Sequence, residues 1–220
     1  MMTPFDWQEA MGQRAQYVAG RLSEAIPVLA VSCAEGIVMA TFSRVQPKIY
    51  EVYDELIFAA IGQSADVEQM RVAAIEFAHR EGYQRSKRDV SIQRVVQTMS
   101  MPMKNAFNDY RGAPLVAKCL YAEVRETPAD DMYYVMDYDG DYLPDRRGAV
   151  LTGLTEPDAE LEGLVNDPKW ADATHEEAIA GLKPVLENRA ERAVENDGEI
   201  QFEAAWLKRG GSHRRRFYRL

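Results

Sequence analysis

The order in which strand-like and helix-like stretches follow one another limits this chain more than any single motif does. Residues 7–25 carry Ala10, Met11, Ala15, Val18, Leu22 and Ala25 at spacings of three and four, with Gln13, Arg14, Gln16 and Arg21 opposite them. That pattern predicts an amphipathic helix. Pro27 ends it, because the residue before a proline is pushed away from helical backbone angles. Two hairpin-like units follow, 28–33 with 37–42 about Ala34-Glu35-Gly36, and 49–53 with 56–61 about Asp54-Glu55. A helix pair comes next, 64–80 (Val67, Met70, Ala74, Phe77) and 89–110 (Ile92, Val96, Met99, Met103, Phe107), with Pro102 expected to kink or interrupt the second. Strands resume at 115–124, 132–138, 142–143 and 148–154, with Asp139-Gly140 as a turn. A second helix pair, 157–166 and 173–194, precedes closing strands at 199–208 and 214–219.

Strands, a helix pair, strands, a helix pair and strands again do not alternate as parallel βαβ units would. The expected fold is therefore α+β: two antiparallel sheets packed face to face, each covered outside by a helix pair. This is a four-layer αββα sandwich with one extra helix at its N-terminus. With 220 residues, 46% of them hydrophobic, the chain can bury such a core as a single domain spanning 1–220.

Composition narrows the function classes. A net charge of −9 opposes non-specific binding to nucleic acid or to anionic membrane. The arginine-rich close, Arg209, Arg214, Arg215, Arg216 and Arg219, reads as a solvated or interface strand. Cys33 and Cys119 each lie in an apolar strand, which fits buried free thiols in a reducing cytoplasm. No apolar run approaches the roughly 20 residues that would span a bilayer. His79, His175 and His213 lack metal-ligand spacing. Asp137, Asp139, Asp141 and Asp145 lack the loop of a calcium site and read as hairpin chemistry. Neither a cofactor nor a metal is expected.

Six short pieces carry a resemblance. They are Gly36-Ile37-Val38-Met39-Ala40, Gln46-Pro47-Lys48-Ile49-Tyr50-Glu51, Phe58-Ala59-Ala60-Ile61-Gly62, the link from Gly82-Tyr83 through Arg88-Asp89-Val90, the Tyr-Asp-Gly hairpin within 135–140, and Gly153-Leu154-Thr155-Glu156-Pro157. In this order and spacing they resemble bacterial proteasome α subunits, a branch of the N-terminal-nucleophile hydrolases, over nearly the whole chain. Active members of that superfamily attack with a Thr, Ser or Cys at a newly exposed N-terminus, whose free amine helps move the proton. The resemblance puts that position at Ile26, the early carboxylate at Phe42 and the pKa-lowering lysine at Lys48. Ile26 has no nucleophilic atom, so a non-catalytic subunit is implied.

The resemblance further implies a seven-membered homo-oligomeric ring stacked on proteasome β subunits. Helix 7–25 would pack between neighbours, and Met1, Met2, Thr3, Pro4, Phe5 and Asp6 would form a gate on the axis. Lys48 would sit in a pocket that accepts the C-terminal carboxylate of an activator such as a ring ATPase. Ala25 and Gln63 flank that pocket in place of the glycine and the apolar residue found in some relatives. Tyr83, Arg85, Lys87, Arg88 and Asp89 would orient a subunit interface. Two other readings stand beside this one: a self-processing protease, which Ile26 and Phe42 oppose, and a ring-forming binding protein without a protease partner.

Overall fold

A computed structural model describes residues 4–193, 199–210 and 215–220. The first helix, α1 (Pro4–Leu22), begins earlier and ends sooner than its periodicity suggests. A proline is well placed in the first turn, where its missing N–H has no helical partner to lose. The expected gate residues Pro4, Phe5 and Asp6 are thus the first turn of α1, whereas Met1, Met2 and Thr3 lie outside the described residues. The far end closes as Ser23 N–H bonds to the Ala19 carbonyl (2.9 Å) and Ala25 N–H to that of Leu22 (2.9 Å), ahead of the Ile26-Pro27 step.

Strands β1 (Val28–Cys33), β2 (Gly36–Ser43), β3 (Ile49–Tyr53) and β4 (Leu56–Gly62) follow as two hairpins. Helices α2 (Ser64–Gln84) and α3 (Ile92–Asn108) come next, joined through a 3₁₀ turn at Lys87–Asp89. Then come β5 (Ala117–Glu123), β6 (Met132–Met136), β7 (Tyr142–Asp145) and β8 (Gly148–Leu151). Helices α4 (Ala159–Val165) and α5 (His175–Ala193) and strands β9 (Gln201–Lys208) and β10 (Phe217–Arg219) complete the order.

Pro102 does not interrupt α3, contrary to expectation. It is exposed, so the bond it deletes is on the solvent side, while Val95, Val96, Met99 and Met103 hold the buried face. The first three residues of the expected α2–α3 link, Gly82 to Gln84, are instead wound into α2.

The strands form two five-stranded antiparallel sheets, β10-β9-β2-β1-β8 and β3-β4-β5-β6-β7. Three apolar layers separate four structural ones. Between the sheets lie Val28, Ala30, Ile37, Met39, Ile57, Ala59, Ile61 and Leu120, and α1 inserts Val18 and Leu22 into the same layer. Phe58, Cys119 and Tyr121 face α2 and α3, whereas Leu29, Val31, Val38 and Ala40 face α4 and α5. Alternate residues of β1 and β4 therefore enter different cores, which is why these strands are apolar on both faces rather than alternating. The αββα sandwich is the observed architecture.

Two devices fix the layers. The tip of the β6–β7 hairpin holds Gly140 at φ +86, and a Cβ there would lie 2.6 Å from the Ser100 carbonyl oxygen of α3. At the end of the sandwich where β1 finishes, Arg209 clips one sheet to the other by a bidentate pair with Asp131 (2.7 and 2.8 Å). At the opposite end, where α1 gives way to β1, the sheets part and a cleft opens.

Candidate functional site

The cleft, of about 610 Å³, is bounded by the end of α1, the β2–β3 loop, the start of β3 and the beginning of α2. Ala25 and Ile26, Phe42 and Lys48, three separate points of the sequence, all line it. Lys48 stands just before β3, and its side chain turns back across the gap so that Nζ donates to the Ile26 carbonyl (2.9 Å). Burial pulls its ammonium down from the usual lysine range to about 8, Glu203 opposing the shift and Arg44 adding to it. The result is a sheltered cation with one backbone acceptor, at the wall of an open cleft.

Ile26 itself is buried, its side chain among Leu29, Phe42 and the α5 residues. It lies within continuous backbone between α1 and β1, and Thr41 Oγ1 bonds the carbonyl of the next residue, Pro27 (2.7 Å). Phe42 packs edge-on against Phe202 with ring centroids 5.3 Å apart. Neither position offers a nucleophile or a carboxylate. Gln63 precedes α2 and is exposed; its neighbours Gly62 and Ser64 line the cleft, but Gln63 does not.

Residues the sequence did not single out complete the site. Glu203 of β9, buried to 7% side-chain exposure, accepts the backbone N–H of Lys48 (2.8 Å) and of Ile49 (3.0 Å). Arg219 of β10 approaches the same carboxylate at 3.5 Å and donates to the Ile49 carbonyl at 2.7 Å. Tyr50 forms part of the wall between the guanidinium groups of Arg71 and Arg219, at 5.0 and 5.8 Å from its ring centre, and donates to the Pro47 carbonyl (2.5 Å).

The expected interface residues lie elsewhere, at the end of α2. Tyr83 is 93% exposed. Arg85 pairs with Glu81 of its own helix (3.6 Å) and Lys87 with Asp54 (3.0 Å), so both have partners within this chain. Asp89 is exposed and donates its N–H to the Ser86 carbonyl (3.0 Å), while the Arg88 side chain lies outside the described residues. Gly82 leaves room for the Tyr53 hydroxyl, which any side chain there would displace.

Other reactive groups stay in the core. Cys33 and Cys119 are buried free thiols whose pKa values burial raises, to about 12 for Cys119. Among the described residues no cluster of His, Cys, Asp and Glu could hold a metal ion, and no helix is long and apolar enough to cross a membrane.

Residues 23–204 match the family described as "Proteasome subunit". The Streptomyces avermitilis protein named "Proteasome subunit alpha" is 28% identical over 228 residues, covering 100% of this chain and 87% of its own. The protein of the same name from Xylanimonas cellulosilytica is 30% identical over 196 residues, 88% of this chain and 76% of its own. That from Streptomyces coelicolor is 26% identical over 227 residues, 100% and 87% respectively. The chain belongs to the proteasome subunit family, and the members it resembles along its length are of the alpha type.

Proposed function

We propose that this chain is a non-catalytic subunit of the outer ring of a proteasome core particle, and that the Lys48 cleft receives the C-terminal carboxylate of an activator. One observation carries the reading. The ammonium of Lys48 is held at a cleft wall by the carbonyl of Ile26, the residue where an active member would need its nucleophile. A lysine beside a nucleophilic side chain tunes chemistry; beside isoleucine, it remains as a sheltered cation. Such a cation suits a chain-terminal carboxylate, because a charge-assisted bond is strong when screened from water.

In this reading seven copies form a ring in the cytoplasm and stack on β subunits. The half-exposed parts of α1 face neighbouring copies, and the first turn of α1, where Phe5 is 83% exposed, lines the entrance. The basic and aromatic residues around Tyr83 orient one subunit on another. The absence of any side-chain nucleophile at residue 26, and of a free amine there in this chain, supports a role in admission rather than cleavage.

Native and denaturing mass spectrometry of the purified protein tests the assembly. Full-length chains in sevenfold rings, alone or with a second processed subunit, are expected. A chain cleaved to begin at Ser, Thr or Cys would overturn the non-catalytic assignment. For the cleft, Lys48→Ala should abolish stimulation by an activator while leaving the ring intact.

A further inference from the structure

The start of β3, on which Lys48 rides, is held in an unusual way. The Lys48 and Ile49 amides bond to the two oxygens of a carboxylate that reaches over from the other sheet, Glu203 on β9. The Lys48 carbonyl alone continues the ladder, accepting from Ala60 N–H at 3.1 Å. Glu203 is 155 residues distant in sequence and nearly fully buried, so its charge is set against these amides and the Arg219 guanidinium rather than water. Arg219 closes the ring, bonding the Ile49 carbonyl with one nitrogen and approaching Glu203 with the other.

We propose that Glu203, backed by Arg219, is the positioning residue of the Lys48 receptor. It fixes the backbone at Lys48 and Ile49 so that the lysine side chain can span only the distance to the Ile26 carbonyl. The inference deepens the reading of the cleft as a carboxylate receptor and rests on it. Two consequences follow from the geometry. A carboxylate holding two adjacent amides restrains the backbone from which the ammonium extends, which limits the positions the cation can take. Its negative charge also supports the protonated state of Lys48, against burial and against Arg44.

The charged and titratable groups around Lys48 come from every neighbouring element. Glu203 and Arg219 face it from β9 and β10, Arg44 from the β2–β3 loop, Tyr50 from β3 itself, Glu68 from α2, and Arg21 and Glu24 from the end of α1. Tyr50 stays neutral throughout the range of interest, because burial raises its phenol above the ordinary value. Among these groups Glu203 is the carboxylate joined to the lysine's own backbone.

The test uses full-length protein in three forms: unaltered, Glu203→Gln and Glu203→Asp. Lys48→Ala serves as the control for the cleft. Amide hydrogen exchange reports the positioning without any ligand. Glu203→Gln should speed exchange at Lys48 and Ile49 by about tenfold or more, since one amide then meets a carboxamide NH₂, while exchange in the cores of β1 and β4 stays unchanged. Titration of Lys48 by ¹³Cε-lysine NMR should show its midpoint falling below that of the unaltered protein in Glu203→Gln. Glu203→Asp, which keeps the charge, should restore most of it.

Unaltered exchange at both amides together with an unaltered Lys48 midpoint in Glu203→Gln would overturn the assignment. So would exchange that rises equally throughout the fold, which marks a merely structural carboxylate. A separate arm measures binding of a fluorescent octapeptide ending in a free leucine carboxylate against its C-terminal amide. Lys48→Ala should erase the preference for the carboxylate, and Glu203→Gln should reduce it by about tenfold. If Lys48→Ala binds both peptides as the unaltered protein does, the receptor reading falls, and the exchange and titration results still decide the role of Glu203.

Discussion

Replacing Asp131 with alanine should destabilise this fold by about 3–5 kcal/mol, because it strips the counter-charge from a buried guanidinium. Asp131 is 0% exposed and the Arg209 side chain 9%. All five N–H donors of Arg209 have acceptors. Nη1 meets Asp131 Oδ1 and the Arg125 carbonyl, both at 2.7 Å; Nη2 meets Asp131 Oδ2 at 2.8 Å and the Cys33 carbonyl at 3.0 Å; Nε reaches the Ala34 carbonyl at 3.3 Å. Asp131 Oδ1 also accepts Arg125 N–H at 2.7 Å. The clip thus joins the β1–β2 turn of one sheet to the β5–β6 connection of the other. Without the carboxylate, a cation remains inside with carbonyls alone, and Arg125 N–H loses its acceptor. For a chain of this length 1 kcal/mol corresponds to roughly 2–4 °C, so the thermal midpoint should fall by about 6–20 °C. The assay is thermal and urea unfolding at one fixed protein concentration, because ring assembly would add its own term. A double variant, Asp131→Leu with Arg209→Met, removes the stranded charge and should be less damaged than Asp131→Ala alone. An Asp131→Ala change within about 1 kcal/mol of the parent would refute the reasoning, as would a double variant that costs the sum of the two single ones.

Three further outcomes follow from other parts of the structure. Carboxylate binding at the cleft should be full below pH 8 and fade as pH rises through it, since Lys48 titrates near 8 and only its protonated form attracts an anion. Folding carries the opposite sign: the folded lysine releases its proton more readily than the unfolded one, so Lys48 opposes folding below pH 8 and ceases to do so as pH rises towards 10.5. Lys48→Met should therefore remove binding in a fluorescence titration without lowering the thermal midpoint at pH 7. Tyr133→Phe leaves the buried Ser32 hydroxyl without its 2.7 Å partner and should cost about 1–3 kcal/mol in urea unfolding, with Ser32→Ala adding little on top. Gly153→Ala would put a Cβ on the Leu22 carbonyl oxygen at the end of α1, and should cost about 1–3 kcal/mol while speeding proteolysis near α1.

The layers were legible because each strand's residues commit to a core. All six residues of β1 are buried, alternately towards the other sheet and towards α5, and such a strand reads as an unbroken apolar run. Helix boundaries were less legible. Pro27 suggested that α1 continues to Ala25, yet the chain turns at Ser23 so that Ala25 and Ile26 can reach the cleft. Pro102 looked disruptive because a sequence does not say which side of a helix faces water. In the cleft, Ala25, Ile26, Phe42 and Lys48 came through resemblance, and the fold does bring them together, while Gln63 stands just outside. Glu203 left no mark in the sequence. It is a lone carboxylate within β9, and its partners Lys48 and Ile49 become visible only when the two sheets are stacked.

The way Lys48 is held also bears on the proposed role of its cleft as a carboxylate receptor. A lysine that served a nucleophile through its side chain would lose its partner when that side chain became isoleucine, and a buried unpaired ammonium is costly. Here the partner is the Ile26 carbonyl, which every residue type supplies. The backbone beneath the lysine is fixed by Glu203, which does not depend on residue 26 either. The identity of residue 26 is therefore uncoupled from the placement of the cation, and Ile26→Thr should leave Lys48 where it is. The threonine would still lack a free α-amine, since it remains inside the chain that runs from α1 into β1. On this argument Ile26→Thr alone yields no peptidase activity and an unchanged Lys48 titration near pH 8. Activity from that single substitution would show that the lysine is still poised for catalysis rather than for holding a carboxylate.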